Sequence, residues 1–122
     1  MYKLKVITDF DAAHQLRGYK GKCENIHGHN WKVEIEVIAE NLNEIGIAID
    51  FKELKKISDE VVSKLDHTFI NEIPPFNQIN PSSENIARWI YLALKSKIEN
   101  SPVKLHSVTV WESDNAGATY FE

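Results

Sequence analysis

Two runs of alternating apolar and polar residues constrain this chain most strongly. The first extends from Leu4 to His14 and the second from His27 to Ala39. A period of two is typical of strands with one buried face. Residues 15–26 lie between the runs and break the pattern with two glycines and three cations, as a loop does. The two runs therefore predict a long β-hairpin.

Three histidines continue the apolar faces of these strands at the ends that the hairpin joins. His14 ends the first run, and His27 and His29 open the second. Gly28, between the latter two, has no side chain and lets a ligand approach closely. Residues two apart on a strand point to the same face, so pairing brings three imidazoles together. A β-bulge near the loop would turn one of them away. Three converging imidazoles favour a zinc site whose fourth position is open to water or substrate, although one strand-end histidine alone is ordinarily a polar rim residue.

Two stretches with helical periodicity follow the hairpin. Asp50 and Glu53 form a capping box, and apolar residues at spacings of three and four extend the first helix to about Leu65. Ser82 caps a second helix, and Glu84 stands in its first turn, where the helix dipole favours a carboxylate. Two helices are therefore expected in the middle of the chain.

The last part of the chain returns to strands. Residues 103–112 and 116–121 alternate around a turn and complete the order strand, strand, helix, helix, strand, strand. This order predicts one α+β domain over residues 1–122, with a four-stranded, mainly antiparallel sheet and both helices on one face. A sheet of this size has exposed edges, and we expect oligomerisation through them.

Composition and charge narrow the class of function. Lys and Arg number 14 against 18 Asp and Glu, a formal net charge of −4, and no basic stretch is present to follow a phosphate backbone. Apolar runs are short and interrupted, so no membrane span is expected. Cys23 is the only cysteine, which excludes an intrachain disulfide. We therefore expect a cytoplasmic protein with neither a nucleic acid nor a membrane as partner.

Cys23, four residues before His27, admits three interpretations. It is a small buried hydrophobe, a fourth metal ligand that closes a structural Cys-His₃ site, or a catalytic thiolate activated by nearby positive charge. Its position in a polar loop with Gly and Lys disfavours burial. The residues alone leave the choice between ligand and catalyst open.

Three further groups carry chemistry but also have an ordinary structural interpretation. Asp66 and His67 stand at a helix end, where they form either a general acid/base pair or simply a turn. Glu112, near the end of a strand, is either a solvated carboxylate or a clamp for two parallel N–H donors. Ser82 and Ser83 suit helix capping, and their hydroxyls also suit a polar ligand.

Six segments, in order, resemble the 6-pyruvoyl-tetrahydropterin synthase family over essentially the whole chain. They are FDAAH (10–14), CENIHGHNW (23–31), AIDFKELK (48–55), LDHTFIN (65–71), NPSSENIARWI (80–90) and VTVWES (108–113). The resemblance implies the tunnelling fold, in which each subunit is a four-stranded antiparallel sheet with two helices on one side. Three subunits then join into a barrel, and two trimers commonly stack into a hexamer with active sites between subunits.

The same resemblance implies a metal and a base. It makes His14, His27 and His29 the ligands of a Zn²⁺ ion that polarises the side-chain oxygens of 7,8-dihydroneopterin triphosphate. It makes Cys23 the proton-abstracting base, which raises the catalytic interpretation of this cysteine above the ligand interpretation.

The resemblance also implies a proton relay and a substrate anchor. Asp66 and His67 would form the relay, and Glu112 would hold the 2-amino and N3 groups of the pterin. The start of the second helix would help to bind the substrate through Ser82, Ser83 and Glu84.

The spacing Cys-x₃-His-Gly-His resembles one branch of the family, which forms 6-carboxy-5,6,7,8-tetrahydropterin in queuosine biosynthesis and releases acetaldehyde and triphosphate. Two departures from the family pattern are small. Ser82 replaces a more usual threonine and keeps the hydroxyl, and Trp31 replaces a smaller aromatic residue at the floor of the site. A pyruvoyl-forming or side-chain-cleaving relative of the same fold is one alternative. A non-enzymatic zinc module with Cys23 as fourth ligand is another.

Overall fold

A long antiparallel hairpin forms the centre of the molecule, as the alternation predicted. A computed structural model describes residues 1–19 and 25–122, so the interpretations of Cys23 lie outside the described residues. Strand β1 (Tyr2–His14) pairs with β2 (His27–Ala39) in one unbroken register. Its ends are Tyr2 opposite Ala39 and His14 opposite His27. The hairpin therefore carries all three predicted histidines to one end of the sheet.

The sheet has five strands in the order β3-β1-β2-β4-β5. β4 (Lys104–Ser113) and β5 (Ala116–Phe121) extend the hairpin antiparallel on the β2 side, as predicted. The prediction of four strands missed β3 (Thr68–Phe69), which pairs parallel to β1 at Ala12 and Ala13. Two residues are too short to show an alternation, and tertiary contact with β1 alone makes them a strand. The α+β class with a largely antiparallel sheet is confirmed.

Both predicted helices are present, and their caps explain where they begin. Helix α1 (Phe51–Val62) starts after Asp50, whose carboxylate accepts the N–H of Lys52 at 2.8 Å. It ends three residues before the predicted Leu65, and turns continue the chain to that point. Helix α2 (Ser83–Ile98) starts after Ser82, whose hydroxyl accepts the N–H of Asn85 at 3.2 Å. A single 3-10 turn lies between them at residues 70–72.

The helices cover one face of the sheet and bury its apolar side chains. α1 contacts β1, α2 contacts β4 and β5, and the helices contact each other. The largest fully buried side chains come from both layers: Phe10, Trp31, Ile35, Leu54, Leu65, Ile70, Phe76, Ile86, Ile90, Leu94 and Ile98. In the described part of the chain, neither helix is long and apolar enough to cross a membrane.

The opposite face of the sheet is charged. Lys5 forms ion pairs with Glu34 at 3.6 Å and with Glu36 at 3.1 Å, and Lys3 reaches Glu36 at 3.7 Å. The hydroxyl of Ser107 on β4 donates to the same Glu36 at 3.1 Å. One face of each strand is therefore dry and the other hydrated, which fixes the register of the hairpin and the side to which its histidines point.

Candidate metal centre and active site

The three predicted histidines form a cluster at the end of the hairpin. Ring centroids of His14 and His29 are 5.3 Å apart, those of His14 and His27 are 5.6 Å apart, and those of His27 and His29 are 5.5 Å apart. The pairing of His14 with His27, and of Ala12 with His29, produces this arrangement directly. The three rings are therefore neighbours, whereas the group of ligand atoms close enough to share one ion, among the described residues, comes from His14, His29 and Glu112 and does not include His27.

The tautomer of His14 follows from its hydrogen bond. Its ring is almost completely buried, and Nδ1 lies 2.8 Å from the carbonyl oxygen of Pro81. A carbonyl oxygen only accepts hydrogen bonds, so Nδ1 carries the hydrogen and the neutral ring has a lone pair on Nε2. Histidines that bind metals commonly donate their second N–H to a carbonyl in this way.

Glu112 reaches the same point from β4. Its Oε1 lies 3.0 Å from Nε2 of His29 and 3.4 Å from Nε2 of His14. Both nitrogens are buried, and neither has a hydrogen-bond partner among the described residues. Ligand atoms of these three residues all lie within 4.8 Å of one another. Two imidazole nitrogens and a carboxylate oxygen are a donor set that suits a borderline divalent cation, with the ring of His27 alongside.

Burial also favours the metal-binding form of His29. The loss of solvent around the ring lowers the pKa of His29, and the neighbouring His14 and His27 lower it further, against an opposing effect of Glu112. The imidazole is therefore neutral over more of the pH range than a free histidine. Neutral imidazole is the form that binds a metal ion.

Trp31 forms the floor beneath two of the histidines. Its ring plane is inclined 83° to the rings of both His14 and His29, with centroids 4.7 Å and 5.3 Å away. The indole Nε1 donates to the carbonyl of Ala12 at 3.1 Å, and Phe10 stacks on the indole at 5.8 Å. The indole is fully buried and held by these contacts, so it limits the rotamers that the two imidazoles can adopt.

Asp66 and His67 lie at the outer edge of β1, in a group separate from the histidine cluster. The Asp66 carboxylate accepts the N–H of Asp11 at 2.9 Å, and the N–H of His67 donates to the carbonyl of Asp11 at 2.6 Å. His67 has a φ of 56°, and its Nε2 lies 3.5 Å from Asp66. The chain thus makes the local turn that a pairing of adjacent residues requires. His67 is 79% exposed, so its imidazole is free to meet another molecule.

The start of α2 adjoins the histidine cluster. Ser82 is the N-cap, as predicted, and the carbonyl of the preceding Pro81 is the group that faces His14. Ser83 is half-buried and Glu84 is exposed in the first turn. The first turn of the helix therefore lies near the cluster.

Two asparagines that the sequence reasoning did not single out fasten the chain after β1. The amide of Asn71 accepts the N–H of Gln15 at 2.9 Å and donates to its carbonyl at 2.7 Å. The amide of Asn80 binds both backbone groups of Arg17 in the same way, each at 2.8 Å. A side-chain amide can replace a backbone partner in this manner. Each of the two directly follows an isoleucine in the connection between the helices, and no stronger sequence pattern marks them.

Comparisons with known proteins identify the family of the chain. A family model described as 6-pyruvoyl tetrahydropterin synthase matches residues 3–122. The chain belongs to this family. The expectation that it belongs to a family of pterin-metabolising enzymes is thereby confirmed.

Relatives within the 6-pyruvoyl tetrahydropterin synthase family carry more than one name. A protein of Archaeoglobus fulgidus, named putative 6-carboxy-5,6,7,8-tetrahydropterin synthase, is 47% identical over 93 residues, 75% of either chain. A dihydroneopterin monophosphate aldolase of Pyrococcus furiosus is 37% identical over 90% of this chain and 89% of its own. The structure of Caenorhabditis elegans 6-pyruvoyl tetrahydropterin synthase superposes with a TM-score of 0.87 at 29% identity. That match covers 99% of this chain and 95% of the other.

Proposed function

We propose that the protein converts 7,8-dihydroneopterin triphosphate and water to 6-carboxy-5,6,7,8-tetrahydropterin, acetaldehyde and triphosphate in a zinc-dependent reaction. The observation that carries the proposal is the convergence of buried imidazole nitrogens without hydrogen-bond partners, in the described residues, beside a carboxylate at one end of the sheet. The 47% identity to a relative named for this product favours the 6-carboxy branch. The pathway we propose is queuosine biosynthesis.

Zinc would be held by His14, His27 and His29. When bound, it acts as a Lewis acid toward oxygens of the substrate side chain. The hydrogen bond of His14 Nδ1 with the Pro81 carbonyl orients its ring for this role, and the lowered pKa of His29 favours its neutral form. Trp31 and the Pro81 carbonyl fix the rings from below and from the side.

The remaining residues would move protons and hold the pterin. Cys23 would remove a proton from the substrate side chain, and Asp66 with His67 would pass protons on. Glu112 would accept two parallel N–H groups of the pterin ring. The helix start would contribute polar groups and N–H donors near the ligand through Ser82, Ser83 and Glu84.

We further propose that residues 1–122 act as one domain in a homohexamer, a dimer of trimers with sites shared between subunits. Asp66 and His67 support this, because they lie exposed at the β1 edge and apart from the histidine cluster of their own chain. A second copy joined at that edge could bring the pair to the cluster. We place the enzyme in the cytoplasm, where its single cysteine stays reduced.

Product analysis tests the reaction. Zinc-loaded protein is incubated with 7,8-dihydroneopterin triphosphate, and the products are identified by mass spectrometry. We expect a 6-carboxy pterin together with acetaldehyde. Triphosphate without acetaldehyde would show a pyruvoyl-forming enzyme. A cleaved side chain without a carboxylate would favour the activity named for the Pyrococcus relative.

Mixing two inactive variants tests the shared site. His29→Ala removes a proposed metal ligand, and His67→Ala removes half of the relay. If the two halves come from different subunits, co-refolding the variants creates some intact sites and restores part of the activity. A mixture as inactive as its components, eluting as a mixed oligomer, would contradict the shared site.

A further inference from the structure

The position of Glu112 is not accounted for by a role as pterin anchor alone. Its carboxylate approaches Nε2 of His29 and Nε2 of His14 at 3.0 and 3.4 Å, yet neither contact has full hydrogen-bond geometry. For His14 the reason is chemical, because its hydrogen is on the Nδ1 that faces Pro81. At His14 an acceptor oxygen and the lone pair of Nε2 therefore face the same space.

The spacing of these atoms matches that of ligands around a common metal ion. Two ligands of a tetrahedral zinc ion with bonds of about 2.0 Å lie about 3.3 Å apart. The observed oxygen–nitrogen distances of 3.0 and 3.4 Å fall on either side of that value. The carboxylate oxygen thus lies where a ligand of a shared metal ion would lie.

The backbone directs Glu112 to this place. On β4, Val108 and Val110 are buried toward the helices, and Glu112 continues their alternation onto the face that holds the histidines. The pairing of β4 with β5 shifts register between Trp111 and Ser113, so Glu112 lies at a β-bulge. Bulges are frequent beside active sites, where they redirect a side chain.

The Glu112 side chain is also able to move away from the two histidines. Glu112 is 36% exposed, and its pairing with β2 is not continued beyond the preceding residue, Trp111. A carboxylate on a bulged strand end can change rotamer without disturbing the core. The same group can therefore serve two partners at different times.

We propose that Glu112 is a direct ligand of the metal in the substrate-free protein and that the pterin displaces it. This inference rests on the proposed function and adds an order of events to it. The carboxylate occupies the fourth position until the N–H groups of the pterin bind it. The position for the substrate side chain then opens only when a pterin is present.

Cobalt(II) binding tests the first half of the proposal. Co²⁺ replaces zinc in such sites and absorbs visible light according to its ligands, and a competing chelator measures its affinity. We expect Glu112→Gln to bind Co²⁺ at least about tenfold more weakly than the parent and with a changed visible spectrum. Asp114→Asn, which removes one negative charge from the exposed turn two residues away, should leave both unchanged. A Glu112→Gln protein with the affinity and spectrum of the parent would overturn the proposal.

Titration with 7,8-dihydroneopterin tests the second half, with binding followed by equilibrium dialysis. Bound pterin should shift the cobalt spectrum of the parent, because the Glu112 carboxylate leaves the metal. A pterin that binds the parent without moving its spectrum would contradict displacement. A pterin that does not bind at all would contradict the proposed function, whereas the cobalt affinities of the two variants would still decide whether Glu112 is a ligand.

Discussion

Single residues decide how firmly the histidine cluster is held, and Trp31 is the clearest case. Trp31→Phe keeps an aromatic ring but loses the N–H bond to Ala12 and leaves space beneath His14 and His29. Because both imidazoles gain rotamers, we expect the zinc affinity to fall about tenfold. Chelator competition measures it. The matched control is Trp89→Phe, in a half-buried tryptophan that packs on Phe76. Equal affinity losses in both variants would show a general loss of packing.

Cys23 gives the sharpest test between catalysis and structure. As the proton-abstracting base it contributes nothing to metal binding, so Cys23→Ala should retain one zinc per chain and lose most of its activity. As a fourth ligand it would be needed for the metal. Zinc content by elemental analysis and turnover of 7,8-dihydroneopterin triphosphate are the two measurements. Loss of the metal would favour the Cys-His₃ module.

The sequence predicted the positions of those site residues whose direction follows from the alternation of side chains along a strand. His14, His27 and His29 continue apolar faces, and strand pairing then brings them together. Parity also gives the face of Glu112, but not its approach to His29, because that depends on the bulge near Trp111. The carbonyl of Pro81 beside His14 joins residues 67 positions apart, and no local pattern contains such a contact.

At the level of elements, side-chain amides hold the backbone of the segment that follows β1 in place. Asn80→Ala removes two hydrogen bonds to the backbone of Arg17, each made in a partly buried place. We expect the free energy of unfolding to fall by about 2 kcal/mol, since each net bond contributes about 1 kcal/mol. Denaturant unfolding measures the change. Asn77→Ala, in an exposed asparagine of the same connection, should have little effect. Similar losses of unfolding free energy in both variants would contradict a specific contribution of the Asn80 hydrogen bonds.

The sequence predicted those elements that are long enough to show a repeated pattern of apolar residues. Strands β1 and β2 span thirteen residues each and showed clear alternation, and both helices showed their apolar stripes and N-caps. β3 has two residues and no period, so it follows only from its contact with Ala12 and Ala13. The end of α1 at Val62 was missed because Leu65 is buried by the turn that follows the helix and keeps the apolar spacing.

Across the whole molecule, the charged face of the sheet makes stability depend on pH. Partial burial alone would raise the pKa of Glu36, but hydrogen bonds from Lys5 and Ser107 and the charges of Lys5 and Lys3 outweigh it and lower the pKa. A carboxylate whose pKa is lowered by folding stabilises the fold at pH values above the pKa that it has in the unfolded chain, 4.5. This contribution is lost as the pH falls through the lowered pKa of the folded protein.

The expected result is a loss of stability below about pH 4.5 that is smaller in Glu36→Gln. The variant is less stable than the parent at neutral pH, and the two converge as the parent becomes protonated. Denaturant unfolding at a series of pH values measures both curves. Curves that stay parallel down to pH 3 would assign the acid sensitivity to other groups.

The indole beneath the histidines has an optical consequence. Trp31 is one of only three tryptophans, and its ring lies within 5.3 Å of two imidazole centroids. In a protein that also carries Trp89→Phe and Trp111→Phe, all indole fluorescence comes from this position. Paramagnetic Co²⁺ quenches nearby fluorophores, so emission would fall as the ion binds. The chain thus contains its own label-free sensor of metal occupancy, readable in a stopped-flow instrument.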